Sequence, residues 1–568
     1  MRMLLATLSD GPMPLLRGIA EVRGVSLRMA QPLAAAEQLA AALSQVESVE
    51  QAIADLPEEA RQALGHLVSV GGRMTLAAFS RMAGCVRTFG VSQLEETAPW
   101  RNPINAAEAL WYRALIGRTF ADTPTGPVEF IYIPTDILPL LGNLPAPPLP
   151  TLRLTPIDAP ANQRPAATTW LDDVCTLLIY VYQQSPRQTG NRWRERGWRA
   201  LQAQLIERDL AGMTLRLAGL LGWVQTEGER LRLASDQAFA WLDQPRPIQA
   251  QSLFTTWRDD TVWNDLWHVP SLRCIEAGWR NDPYRARRVI LDYLRRAVEP
   301  HAATAWFSLN DFIQAIKTVD PDFQRPDGNY QTWYIQDIRT GVYLRGFESW
   351  EQVEGALITY LLTEPLRALG MVQLGTVTTD AIQPDAFRLT LLGRWLLGLE
   401  TELPAFTPPR LHVADNFMLT LPAGYPLLDR FRVARFAAPM ETATPTPPWR
   451  YQIRQTSLAK AQQQGLTIER ILDYLRAATG DALPANVQRA LAQLSQPLTA
   501  QVRRTRLIEA SPRLAAQLRK EPTFSPYLME GTQAEMLLVD EADWPAARAA
   551  LHRLGVARLS KPPSGRGR

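Results

Sequence analysis

The sequence predicts an α+β, mostly helical fold assembled from repeated units, and three observations carry that expectation. Proline-rich joints punctuate the chain at Pro145–Pro150 with Pro156 and Pro160, at Pro245–Pro247 and at Pro404–Pro409. Between them the order helix, small residue, strand, turn, strand, Ser/Thr, helix occurs three times. The chain is also long enough for several domains: 568 residues, where one domain takes about 100–200.

Taken in order, the first instance has a helix over Asn105–Gly117, a turn at Asp122–Pro127, a strand at Val128–Ile133 and Thr135 opening the next helix. The second runs from a helix ending at Gly222 through WVQ, the turn TEGE and RLRLA to Ser235. The third runs from a helix ending at Gly370 through MVQL, a long turn and FRL to Thr390. Gly117, Gly222 and Gly370 stand where a helix C-terminus takes a left-handed residue, and Thr135, Ser235 and Thr390 where an N-cap belongs. Ser349–Gln352 reads as a capping box before the third helix. Alternation in Val128, Phe130 and Tyr132 and in Leu231 and Leu233 marks half-buried hairpin strands. With further helices upstream of each, this is the pattern of tandem winged-helix-like modules; the alternative is unrelated α/β segments whose turns coincide.

The expected organisation is a helical segment over 1–54, module one over 55–145, a Pro-rich linker over 146–167 and module two over 168–245. A Trp-rich connector over 246–285 leads to module three over 286–402. An α+β domain over 403–498 follows, then a C-terminal α/β subdomain over 499–560 and a disordered tail over 561–568.

Composition excludes several classes. Phe 16, Trp 17 and Tyr 14 exclude disorder along the whole chain. Cys85, Cys175 and Cys274 are too few and scattered for a disulfide framework, and no zinc-ligand spacing occurs. A formal net charge of +3 restricts any nucleic-acid surface to a local patch. Four lysines stand against 56 arginines, a skew that reads as genome composition before function. The apolar stretch Met3–Leu8 is cut short by Asp10, Gly11 and Pro12, below a signal-peptide core. No run of 18 apolar residues occurs, so no membrane partner is expected. The expected location is cytoplasmic, including the nucleoid.

The most enzyme-like string is Asp540-Glu541-Ala542-Asp543 after the apolar strand Met536–Val539. ATP chemistry also needs a glycine-rich loop ending in Gly-Lys-Ser/Thr. Lys317, Lys460, Lys520 and Lys561 all lack that context. The string is therefore read as a strand running into a helix N-terminus that favours acids. Nucleophile elbow, zincin, dinucleotide and EF-hand motifs do not occur, and His66, His268, His301 and His412 read as packing or capping residues. No catalytic residue, metal site or cofactor is expected.

Basic–aromatic clusters supply the candidate nucleic-acid contacts, because arginine forks phosphate and indoles stack on bases. Arg187, Arg192, Trp193, Arg194, Arg196, Trp198 and Arg199 form the densest run. Arg101, Arg113 and Arg118 flank the expected recognition helix of module one, with Trp100, Trp111 and Tyr112 at core spacing. Arg285, Arg287 and Arg288 surround Tyr284, and Arg503, Arg504 and Arg506 make a third group. In so arginine-rich a chain, such runs also arise on plain solvated faces.

The segment Leu411–Leu494 carries a more specific pattern. Tyr451, Ile453, Ser457, Leu458, Ala461, Gly465, Ile471, Leu475, Leu483, Pro484 and Val487 fall on its anchors. In these it resembles the helicase-associated domain in the N-terminal region of bacterial XPB-type DNA helicases; Gln455 and Thr456 depart from the usual pair. The resemblance implies a non-enzymatic role: damage recognition and regulation of a motor, in a chain that resembles those accessory parts with the ATPase lobes absent. The expected partners are DNA, duplex or single-stranded, and a helicase or nuclease subunit. Two functions follow, a DNA-binding or helicase-associated accessory protein and a protein–protein scaffold that docks a partner helicase or nuclease. Fold analogy alone does not choose between them.

Overall fold

In the computed structural model, which describes residues 2–123, 126–142, 152–189, 192–193, 195–378, 382–403, 405–440, 444–494, 504–529 and 535–556, three units share one chain order. The first places the Glu58–Ser69 helix, the strand Arg73–Thr75, the helices Leu76–Ala83 and Ala106–Trp111, and the hairpin Gly117–Thr123/Gly126–Tyr132. Its early strand returns to pair with the last, Arg73 opposite Tyr132, so the sheet order is first–third–second. The third unit repeats this with the helices Pro283–Val298 and Leu309–Val319, the strand Phe307–Ser308 and the hairpin strands Val372–Thr376 and Ala386–Leu389. In the second, after the Thr169–Gln184 helix, Arg187 bridges Arg230 of the hairpin Val224–Glu227/Arg230–Leu233. Half the chain is helical (50%) and 14% is strand: an α+β, mostly helical protein.

Local chemistry explains the starts of these helices. Thr75, Asn105, Ser308 and Thr390 each accept a backbone N–H of the first turn, Thr390 from Gly393 at 3.0 Å. Gly222 and Gly370 take the left-handed position at φ 70° and 78°. Gly117 does not: Ala114 is the left-handed residue (φ 56°) after the first unit's short helix. Gly117 is small for another reason, since a Cβ there would lie 2.8 Å from the Tyr132 ring. Ser349 is no cap either; its hydroxyl donates to the Arg345 carbonyl at 2.9 Å. The long third-unit helix is interrupted by π turns at Glu351–Gly355 and Leu362–Leu366, the second holding Pro365, which has no N–H for a regular turn.

The expected linker and connector are structural parts. Asn162–Gln163 adds an edge strand to the third unit's sheet, and Ile157 bridges Trp306. The Arg246–Asp259 helix buries Leu253, Phe254 and Trp257. One continuous core joins units two and three and takes in Leu427 and Phe431 of the Leu427–Phe436 helix, beyond the expected boundary at 403. A separate core holds the N-terminal helices and unit one. Arg81 crosses between them to Asp322 and the Gly328 carbonyl.

The chain divides into two compact units, Met1–Gly465 with Leu475–Pro484, and Leu466–Tyr474 with Ala485–Arg568. The first ends in a four-stranded antiparallel sheet ordered His412–Val413, Met418–Leu421, Trp449–Gln452, Ala438–Pro439. The second pairs Thr505–Glu509 with Met536–Asp540 and packs the helices Pro512–Lys520 and Trp544–Arg553 around Phe524, Leu537 and Val539. The joint at 145–150, Arg503 and the expected tail lie outside the described residues.

Candidate nucleic-acid interface

The densest arginine run is spread over a two-residue-strand hairpin, Gln188–Thr189 with Arg192–Trp193, and the helix Glu195–Gln202. Its indoles serve the fold. Trp193 stacks on Tyr180 at 6.1 Å, meets Trp198 edge-on at 5.6 Å, and both pack on the larger core. Arg199 donates to Glu195 at 2.7 Å, one turn earlier, and Arg196 is exposed. Arg187 enters the backbone bridge to Arg230. Arg194 and the Arg192 side chain lie outside the described residues.

The expected recognition helix of the first unit is a buried element. It spans Ala106–Trp111, and Ala106 to Leu110 are all inside. Glu108, fully buried, accepts the Arg87 guanidinium fork at 2.7 and 2.8 Å and the N–H groups of Arg87 and Ile104. Burial pushes its carboxyl up, but these donors outweigh burial and hold it low. Arg101 pairs with Glu21 at 2.6 Å, beside the Trp100 indole on the same carboxylate. Arg113 donates to the carbonyls of Ala109 and Asp55, and burial lowers its pKa. Arg118 donates to the Val86 carbonyl and lies over the Trp111 ring. Among the described residues, no hydrogen bond or ring contact joins these three to the 187–199 run.

Arg287 is a correction to the candidate set: its side chain is 1% exposed. It donates to Asp265 and to the carbonyls of Trp257, Arg258, Asp260 and Trp263, which leaves nothing for a phosphate. Its neighbours differ because helix periodicity turns them outward. Arg288 is exposed against Tyr284, and Arg285 is exposed with its Nε on the Phe323 carbonyl.

The same use recurs elsewhere. Arg246–Asp172, Arg325–Glu354, Arg216–Asp260 and Arg367–Glu207 are ion pairs in which the carboxylate is nearly or fully buried. The third unit's third helix borders a cavity of about 590 Å³ lined by Gln314, Glu351, Thr359, Tyr360 and Glu364, with no arginine or lysine in its wall. His268 stacks on Trp263 at 4.0 Å and His301 meets Phe307 at 5.3 Å. In the C-terminal unit Asp540 accepts the Ala542 N–H, Glu541 pairs with Arg506 at 2.6 Å and Asp543 precedes the Trp544–Arg553 helix.

Sequence reasoning missed a surface where exposed aromatic and arginine side chains lie together, the sheet around Tyr334, Tyr343 and Arg345. The signal was present as alternation in WYIQDI and VYLR. Among the described residues no helix is long and apolar enough to cross a membrane, and no group of three His, Cys, Asp or Glu side chains converges as metal ligands would. No protein-family model matches this chain, and no curated protein is significantly similar to it.

Proposed function

We propose that this chain is a non-catalytic, helicase-associated accessory protein that acts chiefly as a docking scaffold for a partner protein such as a helicase or nuclease. The carrying observation is that the third helix of the first unit is buried along its length, while those of the second and third units bury one face in the core. Ala106–Leu110 are buried in the first unit, Met213, Thr214, Leu217 and Ala218 in the second, and Val353, Leu357, Ile358 and Leu361 in the third. Reading a major groove needs that helix presented outward. The strand order first–third–second supports reading the units as winged-helix modules, a fold that also serves protein contacts. The anchors over Leu411–Leu494 support the helicase-associated part of the reading.

The test is reconstitution with the motor lobes of an XPB-type helicase. A complex that survives nuclease treatment in size-exclusion chromatography, with no ATP hydrolysis by this chain alone, is the expected result. ATP hydrolysis by the isolated chain, or no complex at micromolar concentrations, overturns it. Direct duplex binding is the second reading, favoured by the exposed Arg196, Arg285 and Arg288. It requires affinity to fall with salt at a log–log slope of about −0.9 per phosphate contacted, and that slope to flatten when the three are replaced by Gln.

A further inference from the structure

The strands Leu272–Cys274 and Ile335–Asp337 pair antiparallel, with Gln336 opposite Arg273, and Gln336 also bridges Tyr343. Backbone hydrogen bonds from Ile275 to Tyr334 and from Leu344 to Ile335 extend this into three adjacent strands. Side chains alternate across a sheet, so one face carries Cys274, Ile335 and Leu344 toward the core. The opposite face carries two rows, Arg273–Gln336–Tyr343 and Ile275–Tyr334–Arg345.

That outer face has an unusual content. Tyr334 is 38% and Tyr343 45% exposed, and Ile338 (61%) continues their face at the hairpin end. The two rings meet edge-on at 6.3 Å, and the Arg345 guanidinium lies 5.3 Å from one ring centre and 5.2 Å from the other. Among the described residues Arg273, Arg339 and Arg345 make no salt bridge, in contrast to the interior arginines above. Of the acids nearby, Asp337 offsets the charge of Arg339. Asp337 is engaged by the N–H groups of Arg339 and Thr340 and by the Thr340 hydroxyl, which hold its carboxyl below its ordinary value. Glu348 folds back over Gly346, and Glu276 follows the end of its strand.

We infer that this face is a binding platform for single-stranded nucleic acid, with bases stacking on Tyr334 and Tyr343 and phosphates taken by Arg273 and Arg345. Exposed rings with unpaired guanidinium groups suit unstacked bases strung on a charged backbone. A duplex hides its base faces and gives the tyrosines nothing to stack on. The face is separate from the third helices of the three units, so it stands whether or not a partner protein docks on this chain.

The experiment is fluorescence anisotropy of the full-length chain with a labelled 20-mer of thymidylate and with a duplex of equal length, at low salt. The single strand is expected to bind tighter than the duplex. Tyr334→Ala with Tyr343→Ala is expected to weaken it by about tenfold or more. Tyr334→Phe with Tyr343→Phe keeps the rings and is expected to bind like the parent, which separates lost stacking from lost folding. Arg273→Gln with Arg345→Gln is expected to reduce the log–log salt slope by about 0.7 per residue. No binding of the thymidylate strand at 50 mM salt, a preference for duplex, equal affinity of the Ala and parent proteins, or displacement by an equal concentration of polyglutamate would each overturn the assignment.

Discussion

The Arg246 guanidinium donates to Asp172 at 2.7 Å with both side chains about 5% exposed, tying the Arg246–Asp259 helix to the Thr169–Gln184 helix. The same guanidinium donates to the Thr168 hydroxyl and to the carbonyls of Gly424 and Tyr425, so one side chain also anchors the turn that leads into the Leu427–Phe436 helix. Next to it Arg430 reaches the Asp172 carbonyl and the Thr176 hydroxyl. These contacts tie the segment after residue 403 to the Thr169–Gln184 helix.

Arg246→Ala is therefore expected to destabilise the Met1–Gly465 unit by about 3–5 kcal/mol, because it strands a buried carboxylate and several carbonyls at once. Thermal melting followed by circular dichroism checks it. A loss under about 1 kcal/mol would show that water replaces the guanidinium freely and that the anchor is not needed.

Arg287 and Arg288 are adjacent in sequence and opposite in use. Arg287→Ala leaves Asp265 and a set of backbone carbonyls without their donor, and its expected cost is again about 3–5 kcal/mol. Arg288→Ala touches an exposed contact with Tyr284 and is expected to change stability by less than about 0.5 kcal/mol. Equal melting temperatures for the two variants would contradict this division.

These residues show how far the sequence was legible. The hairpins, the left-handed Gly222 and Gly370 and the Thr390 cap follow from local rules, and all three are present. The Leu427–Phe436 helix was not legible, because its Arg430 is as buried as its Phe431 and blurs the apolar stripe that marks a helix. Whether an arginine faces phosphate or a buried carboxylate depends on partners far along the chain. Glu108 lies 21 residues from Arg87, and Glu207 lies 160 from Arg367. No run of basic residues encodes that, so the clusters at 187–199 and 285–288 divided into packing and surface roles only in three dimensions.

Asp173 gives the protein a pH-dependent stability term. Burial raises its carboxyl to about 7, against the N–H groups of Ile206 at 2.8 Å and Glu207 at 2.7 Å, with the Glu207 carboxylate adding to the rise. A carboxyl whose folded pKa is raised contributes stability fully below its unfolded value near 3.8 and loses it as pH rises through about 7. Between pH 4 and pH 8 this term declines by a few kcal/mol. Asp173→Asn removes the titration, so urea unfolding at pH 4, 5.5, 7 and 8 is expected to give a shallower decline than the parent shows. Parallel curves for the two proteins would mean that Asp173 stays ionised throughout.

Two glycines provide an internal contrast in sign. At Gly393, in the first turn of the Leu391–Leu396 helix, a Cβ would sit 2.2 Å from the Met371 carbonyl oxygen and 2.9 Å from its carbon. Those are backbone atoms of a residue that also accepts the Thr390 N–H at 3.0 Å, so they cannot swing aside. Gly393→Ala is expected to force the hairpin and helix apart at a cost of about 1–3 kcal/mol or more. Gly219, on the exposed side of the Ala211–Leu220 helix, has nothing within 4 Å of the same added atom. Gly219→Ala is expected to raise stability by about 0.5–1 kcal/mol, since alanine loses less backbone freedom on entering a helix. Melting temperatures of the two variants should move in opposite directions from the parent; a shift of both in the same direction would refute the packing described around the Thr390 cap.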